Sequence, residues 1–234
     1  MKTIFTSFAV LVLSASALFA QPAEERPTNP FWIGIQGGGL LSYNENCFTF
    51  KEAGKAFDLL SLQGSVSLGY DVSRKLGFRV NVNYDGKNDA ANNSRQSGGG
   101  FWPYNFKSIS AFLDATWNLT DEFYEGPFAP KAYLGVGLGH SYDITDSGHP
   151  WQGISKGTYM TDPNNSFGFR VGFLCELRLS DFFGLFVDFA AEAYTDNFNG
   201  LQPTEEDKKA SANGYPGYPF DLRGVGSFGL ALHF

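Results

Sequence analysis

The side chains with most chemistry to offer are three histidines, His140, His149 and His233, and two cysteines, Cys47 and Cys175. A histidine within hydrogen-bond reach of a serine and oriented by an acid would make a hydrolase, and His140 stands beside Ser141. Neighbours on an extended strand point to opposite faces, which separates that pair. His140 also shares the parity of Leu138, which puts it on the apolar face near one rim. No catalytic residue is assigned, and the chain reads as a non-enzyme. The dispersed His and Cys lack metal-ligand spacing. The acids Asp143, Asp146, Asp162, Glu205, Glu206 and Asp207 lack the pattern of a calcium loop. The GGG triplets at 37–39 and 98–100 do not lead from a strand into a helix with a lysine, so neither is a phosphate loop. No metal and no cofactor is expected.

The remaining chemistry is charge, and its placement depends on the elements that carry it. Between 60 and 71, Leu60, Leu62, Val66, Leu68 and Tyr70 alternate with Ser61, Gln63, Ser65, Ser67 and Asp71. The same period of two recurs in 31–41, 78–84, 108–119, 132–141, 167–179, 185–192 and 222–234, which makes eight strands, with ten as the alternative count. Runs of about 10 to 13 residues are long for a sandwich and suit a tilted membrane-crossing strand. Short connections at 73–76, 120–130 and 180–184 alternate with long polar ones at 42–58, 86–106, 143–165 and 195–221. That asymmetry is the mark of periplasmic turns and extracellular loops. The expected fold is all-β: an eight-stranded antiparallel up-and-down transmembrane β-barrel.

In such a barrel the wettable face points inward. The inward set contains Arg79, Arg170, Arg178 and Arg223 with Asp114, Glu176, Asp188 and Glu192. Four charges of each sign can neutralise one another, and an eight-stranded barrel is just wide enough for side chains to fill it. The expectation is a buried charge plug. A symmetric SDFFG turn would set Glu176 opposite Asp188, with Arg178 bridging the two. Aromatic girdles are expected at the interfaces: Phe31, Trp32, Trp117, Phe123, Tyr124, Phe182, Phe183 and Phe234 at one rim, and Tyr43, Tyr84, Trp102, Phe106, Tyr142, Phe167, Tyr194 and Phe198 at the other.

Residues 1–20, with Lys2, an apolar stretch and small residues at Ser14–Ala17 and Ala20, read as a secretory signal peptide, cut after Ala17 or Ala20. Residues 21–30 read as a periplasmic lead-in, and 31–234 as the barrel domain. No later run reaches the roughly 18 to 20 apolar residues of a membrane helix. A net charge of −7 argues against nucleic acid as a partner. Cys47 and Cys175 fall near opposite ends of the barrel and are expected to be free thiols.

Signal peptide, amphipathic strands, long outer loops and a terminal aromatic together resemble the small outer-membrane β-barrel superfamily that includes the OmpA membrane domain and OmpX. The opening strand FWIGIQGGGLLSY is similar to outer-membrane β-barrel domain proteins of Bacteroidota. The resemblance spans 31–234 and is architectural. Stopping at Phe234, the chain departs from full-length OmpA, which implies no peptidoglycan-binding domain. Phe228, Leu230, Leu232 and Phe234 share one face of the last strand and resemble the signal read by the outer-membrane assembly machinery. The resemblance implies outer-membrane lipid and lipopolysaccharide as surroundings. A protein partner at loops or wall is the further expectation, with Trp102, Tyr104, Tyr215 and Tyr218 as aromatic contact candidates. The leading role is a structural anchor or surface-interaction protein. The alternatives are an accessory subunit of a larger complex, a narrow pore and a lipid-modifying enzyme. The loop asymmetry is checked by epitope tags on intact cells: tags near Gly99 and Pro203 are expected to be accessible, and one near Arg74 shielded.

Overall fold

The computed structural model describes residues 29–43, 61–92, 102–120, 126–146, 163–195, 198 and 220–234. They form eight strands: β1 Phe31–Tyr43, β2 Ser61–Asp71, β3 Leu76–Asn92, β4 Trp102–Asn118, β5 Phe128–Asp146, β6 Asn164–Arg178, β7 Phe183–Thr195 and β8 Phe220–His233. Each pairs antiparallel with its sequence neighbour, and β1 pairs with β8 to close the barrel. The seam is tied at one end by hydrogen bonds in both directions between Phe31 and Phe234, at 3.3 and 2.8 Å. Closure leaves no open edge, as a spanning sheet requires.

The register shows how far the strands are staggered. A single lateral row runs from Trp32 through Gly69, Arg79, Asp114, Gly135, Arg170, Glu192 and Arg223, and returns to β1 at Ser42. One circuit therefore climbs ten residues along β1. With about 3.3 Å per residue and 4.8 Å between strands, that stagger tilts the strands by about 40°.

The faces are inverted relative to a water-soluble barrel. β2 alternates buried and exposed from end to end, with Ser61, Gln63, Ser65 and Ser67 inside. Leu62, Leu134, Leu138, Phe167 and Phe189 stand outside, each more than half exposed. In water each such side chain would forgo about 1.5 to 3 kcal/mol of burial; facing hydrocarbon it forgoes none. The wall is therefore a lipid-facing surface.

Several strands outrun their apolar alternation. β3 continues to Asn92 through a bulge between Asp85 and Asn88, and β4 begins at Trp102. The connection expected at 86–106 thus shrinks to 93–101, and Trp102 and Tyr104 are strand residues rather than loop residues. Past the apolar band a ladder needs no hydrophobic face, so DGKNDAAN continues it without the signature.

The turn between β6 and β7 departs from symmetry by two residues. Ser180 Oγ accepts the amides of Phe182 and Phe183 at 3.3 and 3.1 Å, and Leu179 N donates to Phe183 O at 2.9 Å. Glu176 consequently pairs with Phe186, and Asp188 with Leu174. The expected Glu176–Asp188 apposition does not form, although an even offset leaves both side chains inside. Closure can be tested at the seam: in a Cys47→Ser, Cys175→Ser background, Ile35→Cys and Leu230→Cys, which are directly paired, are expected to cross-link on oxidation, read as a non-reducing gel shift. A barrel open at the seam would leave both thiols free.

Candidate functional site

The charged residues of the lateral row alternate in sign: Arg79, Asp114, Arg170, Glu192, Arg223, with only Gly135 interposed. Cross-strand neighbours of opposite charge attract, and here they line one spiral inside the wall. All five are at most 3% exposed.

Asp114 is the hub. Its carboxylate accepts from Arg79 Nε at 2.7 Å, from Arg170 Nε at 2.7 Å and from Arg170 Nη2 at 2.5 Å. Gly135 lies between the two strands, and a Cβ there would overlap the Asp114 carboxylate. The absent side chain lets Arg170 reach across β5. Arg79 Nη1 spans to Asp188 at 2.7 Å, and the Tyr133 hydroxyl donates to the other Asp188 oxygen at 2.6 Å. Arg170 Nη1 donates to Asn81 at 2.8 Å, and Asn81 donates to Ser67 at 2.8 Å and Ser65 at 3.3 Å. The Arg79 guanidinium sits 4.2 Å from the Tyr133 ring centre and that of Arg170 4.5 Å from Phe112, within cation–π range.

Toward the long-loop end, Arg223 Nη2 meets Asp85 at 2.7 Å while Ser108 donates to the same carboxylate oxygen at 2.6 Å. The Tyr194 hydroxyl donates to Glu192 at 2.9 Å. Above them Tyr194 stacks on Phe198 at 3.8 Å, and Phe106 meets Phe198 edge-on at 5.8 Å. Trp32, Phe106, Tyr194 and Phe198 are thus interior packing rather than girdle residues, all at most 4% exposed. Phe31, Trp117, Phe182 and Phe234 at one rim, with Tyr84 and Phe167 at the other, do face outward. Phe123 and Tyr124 lie outside the described residues, as do the side chains of Tyr43 and Trp102.

At the short-turn end, Lys131 Nζ sits 2.8 Å from both oxygens of Asp71. Glu176 pairs with His233 across β7, Nε2 to Oε1 at 2.5 Å. Arg178 does not join the plug: its side chain is 38% exposed, it comes no nearer than 3.8 Å to Glu176 and 4.0 Å to Asp71, and Asp188 is held by Arg79 instead. The two-residue turn offset removes Arg178 from Asp188 and carries it to the rim. Sequence reading missed Asp71, Asp85, Lys131, Tyr133 and His233 as members of the interior network. All five have inward parity in their strands, and that was the available signal.

The histidine contacts described are Asn165 and Tyr142 for His140 and Glu176 for His233, with neither a serine nor a threonine among them. His140 faces outward and Ser141 inward, where it is fully buried. His149, Tyr215 and Tyr218 lie outside the described residues, as does Cys47; Cys175 is a free, half-buried thiol. Among the described residues no group of three His, Cys, Asp or Glu is placed to hold a metal. The outward face of β8 carries Phe228, Leu230, Leu232 and Phe234, each roughly half exposed.

No protein-family model and no curated protein matches the sequence. Solved structures do match. Neisserial surface protein A superposes with a TM-score of 0.54 at 13% identity, over 87% of this chain and 97% of that one. A major outer membrane protein from Thermus thermophilus gives 0.50 at 13% identity, over 87% of this chain and 99% of that one. The chain has the fold of the small outer-membrane β-barrels. At 13% identity the likeness is one of fold.

The hub sets unequal costs for removing charges. Asp114→Ala leaves two buried guanidinium groups without their shared carboxylate, and breaking such a pair costs about 3 to 5 kcal/mol. Arg178→Ala removes a largely exposed pairing worth about 0 to 1 kcal/mol. Urea unfolding in detergent or lipid is expected to show a clear loss of midpoint for the first and little for the second.

Proposed function

We propose that the protein is a non-enzymatic integral outer-membrane barrel, exported by its N-terminal segment, that anchors its long loops as a surface for contact with a partner. The carrying observation is that wall and interior are both already committed. Outward residues match hydrocarbon, and the interior is crossed by paired charges and stacked rings. An ion crossing the barrel would have to part Arg79, Asp114, Arg170 and Asp188, so the reading includes a closed pore. Phe228, Leu230, Leu232 and Phe234 serve in this reading as the signal for the outer-membrane assembly machinery, and lipopolysaccharide surrounds the wall.

One observation favours a second reading, an accessory subunit docked through the wall. Gly39, Ala191, Gly224 and Gly226 leave an apolar recess of about 780 Å³ on the lipid-facing side of β1, β7 and β8, edged by Leu41, Phe173 and Phe189. Small residues let another element approach closely.

The two readings separate on variants that still fold. Replacing the tips of 93–101 and 199–219 with short Gly/Ser turns changes closure entropy by only about 0.6 kcal/mol per twofold length, so insertion is expected to survive while partner capture and the biological effect are lost. If the trimmed protein keeps full activity and Gly224→Leu removes it, the wall is the working surface. Planar-bilayer recording of the wild type is expected to show no appreciable conductance.

A further inference from the structure

Among the described residues the outward face is apolar but for Thr195, which accepts the Phe167 amide, and for one cluster. Of the basic side chains described on strands, only Lys107 and His140 point outward; Arg79, Lys131, Arg170, Arg223 and His233 are buried inside and Arg178 lies at the opposite rim. Lys107 and His140 sit together near the long-loop end. The row Tyr84, Ile109, His140, Asn165 crosses β3 to β6, with Lys107 and Tyr142 paired just beyond it. Two residues nearer the middle, the row Val82, Ala111, Leu138, Phe167 is wholly apolar. The cluster therefore straddles the line at which hydrocarbon gives way to headgroups.

The backbone is bent to build it. The β4–β5 ladder bulges between Asn105 and Lys107, and Asp143 takes φ 56°, a left-handed conformation uncommon outside glycine. Bulges re-aim side chains. In a regular strand Asp143 would follow Tyr142 to the inside; here it is exposed and meets Lys107 Nζ at 2.6 Å. Around that ammonium the Tyr84 and Tyr142 hydroxyls hydrogen-bond each other, the His140 ring stacks on Tyr142 at 5.7 Å, and His140 Nδ1 lies 2.9 Å from Asn165 Oδ1.

From this placement we propose that Lys107, Tyr84 and Tyr142, flanked by His140, bind the phosphate of an anionic lipid whose acyl chains lie on Val82, Leu138 and Phe167. The proposal rests on the lipid-facing reading of the wall. A lysine ammonium carries three donors; Asp143 occupies one and fixes its position, leaving two for phosphate oxygens, and the Tyr84–Tyr142 pair, with one O–H spent between its members, adds one more. Continuity with the apolar row commits the occupant to a lipid rather than free phosphate. The Asp143 carboxylate opposes the ligand's charge, so its removal should strengthen binding. A purely structural ion pair would show the opposite sign.

The test places the exported chain in nanodiscs of phosphatidylcholine doped with a minor fraction of phosphatidic acid, in EDTA so that no divalent ion bridges Asp143 to phosphate. Native mass spectrometry then counts the retained lipids. The wild type is expected to keep phosphatidic acid several-fold above its bulk share. Lys107→Met and Tyr142→Phe should lower that excess, Lys107→Arg should retain it, and Asp143→Asn should raise it. Retention at bulk share by a wild-type barrel shown to be folded by heat-modifiable gel mobility would overturn the site. So would an unchanged excess in Lys107→Met, or displacement of the lipid by inorganic phosphate alone. A chain that fails to enter nanodiscs overturns instead the membrane reading beneath it.

Discussion

Hydrocarbon offers no hydrogen bonds, so every backbone amide and carbonyl in the wall must find its partner within the sheet. For this chain that means a ladder with no free edge: β1 pairs with β8 from Trp32↔His233 to Tyr43↔Leu222. It also means that the ordinary partition of side chains reverses. Apolar residues gain by facing out, and polar residues must be accommodated in a space that eight strands leave barely wide enough for them.

Accommodation inside is an electrostatic problem with a geometric answer. A buried charge left alone is costly, whereas a buried pair can roughly break even against an apolar core. The interior therefore gives its arginines several carboxylate or aromatic partners. The ten-residue stagger lets one lateral row wind up the barrel, so that Arg79, Asp114, Arg170, Glu192 and Arg223 fall at successive strands with alternating sign. Glycines make room where the row is crowded: a Cβ at Gly135 would strike Asp114, and one at Gly172 would strike the Tyr133 hydroxyl. Large side chains on one strand are matched by bare backbone on the next, as Asp114 is by Gly135 and Tyr133 by Gly172.

Among the described residues, two places in the wall depart from a uniform apolar face. The recess beside Gly224 and Ala191 and the polar knot around Lys107 interrupt the wall in opposite senses, one by missing volume and one by added polarity. Both are departures from what lipid alone would select, and each points to a different kind of neighbour.

Much of this was legible before any coordinates. Strand number, the identity of each face and the inward direction of Arg79, Asp114, Arg170, Glu176, Asp188, Glu192 and Arg223 follow from a period of two, which any register with the correct parity preserves. Parity also places Trp32, Phe106 and Tyr194 inside; reading them as girdle residues weighed nearness to a rim above the alternation. The strand extension at 86–92 left no apolar signal because the ladder there has passed the hydrocarbon. Partner choice was decided by tertiary structure. A two-residue offset at Ser180 kept every side chain on its expected face yet gave Glu176 to His233 and Asp188 to Arg79, and carried Arg178 to the rim. Alternation is a local property of each strand, but which charges meet depends on the stagger of all eight and on the closing seam, and those are set only when the whole ring is assembled.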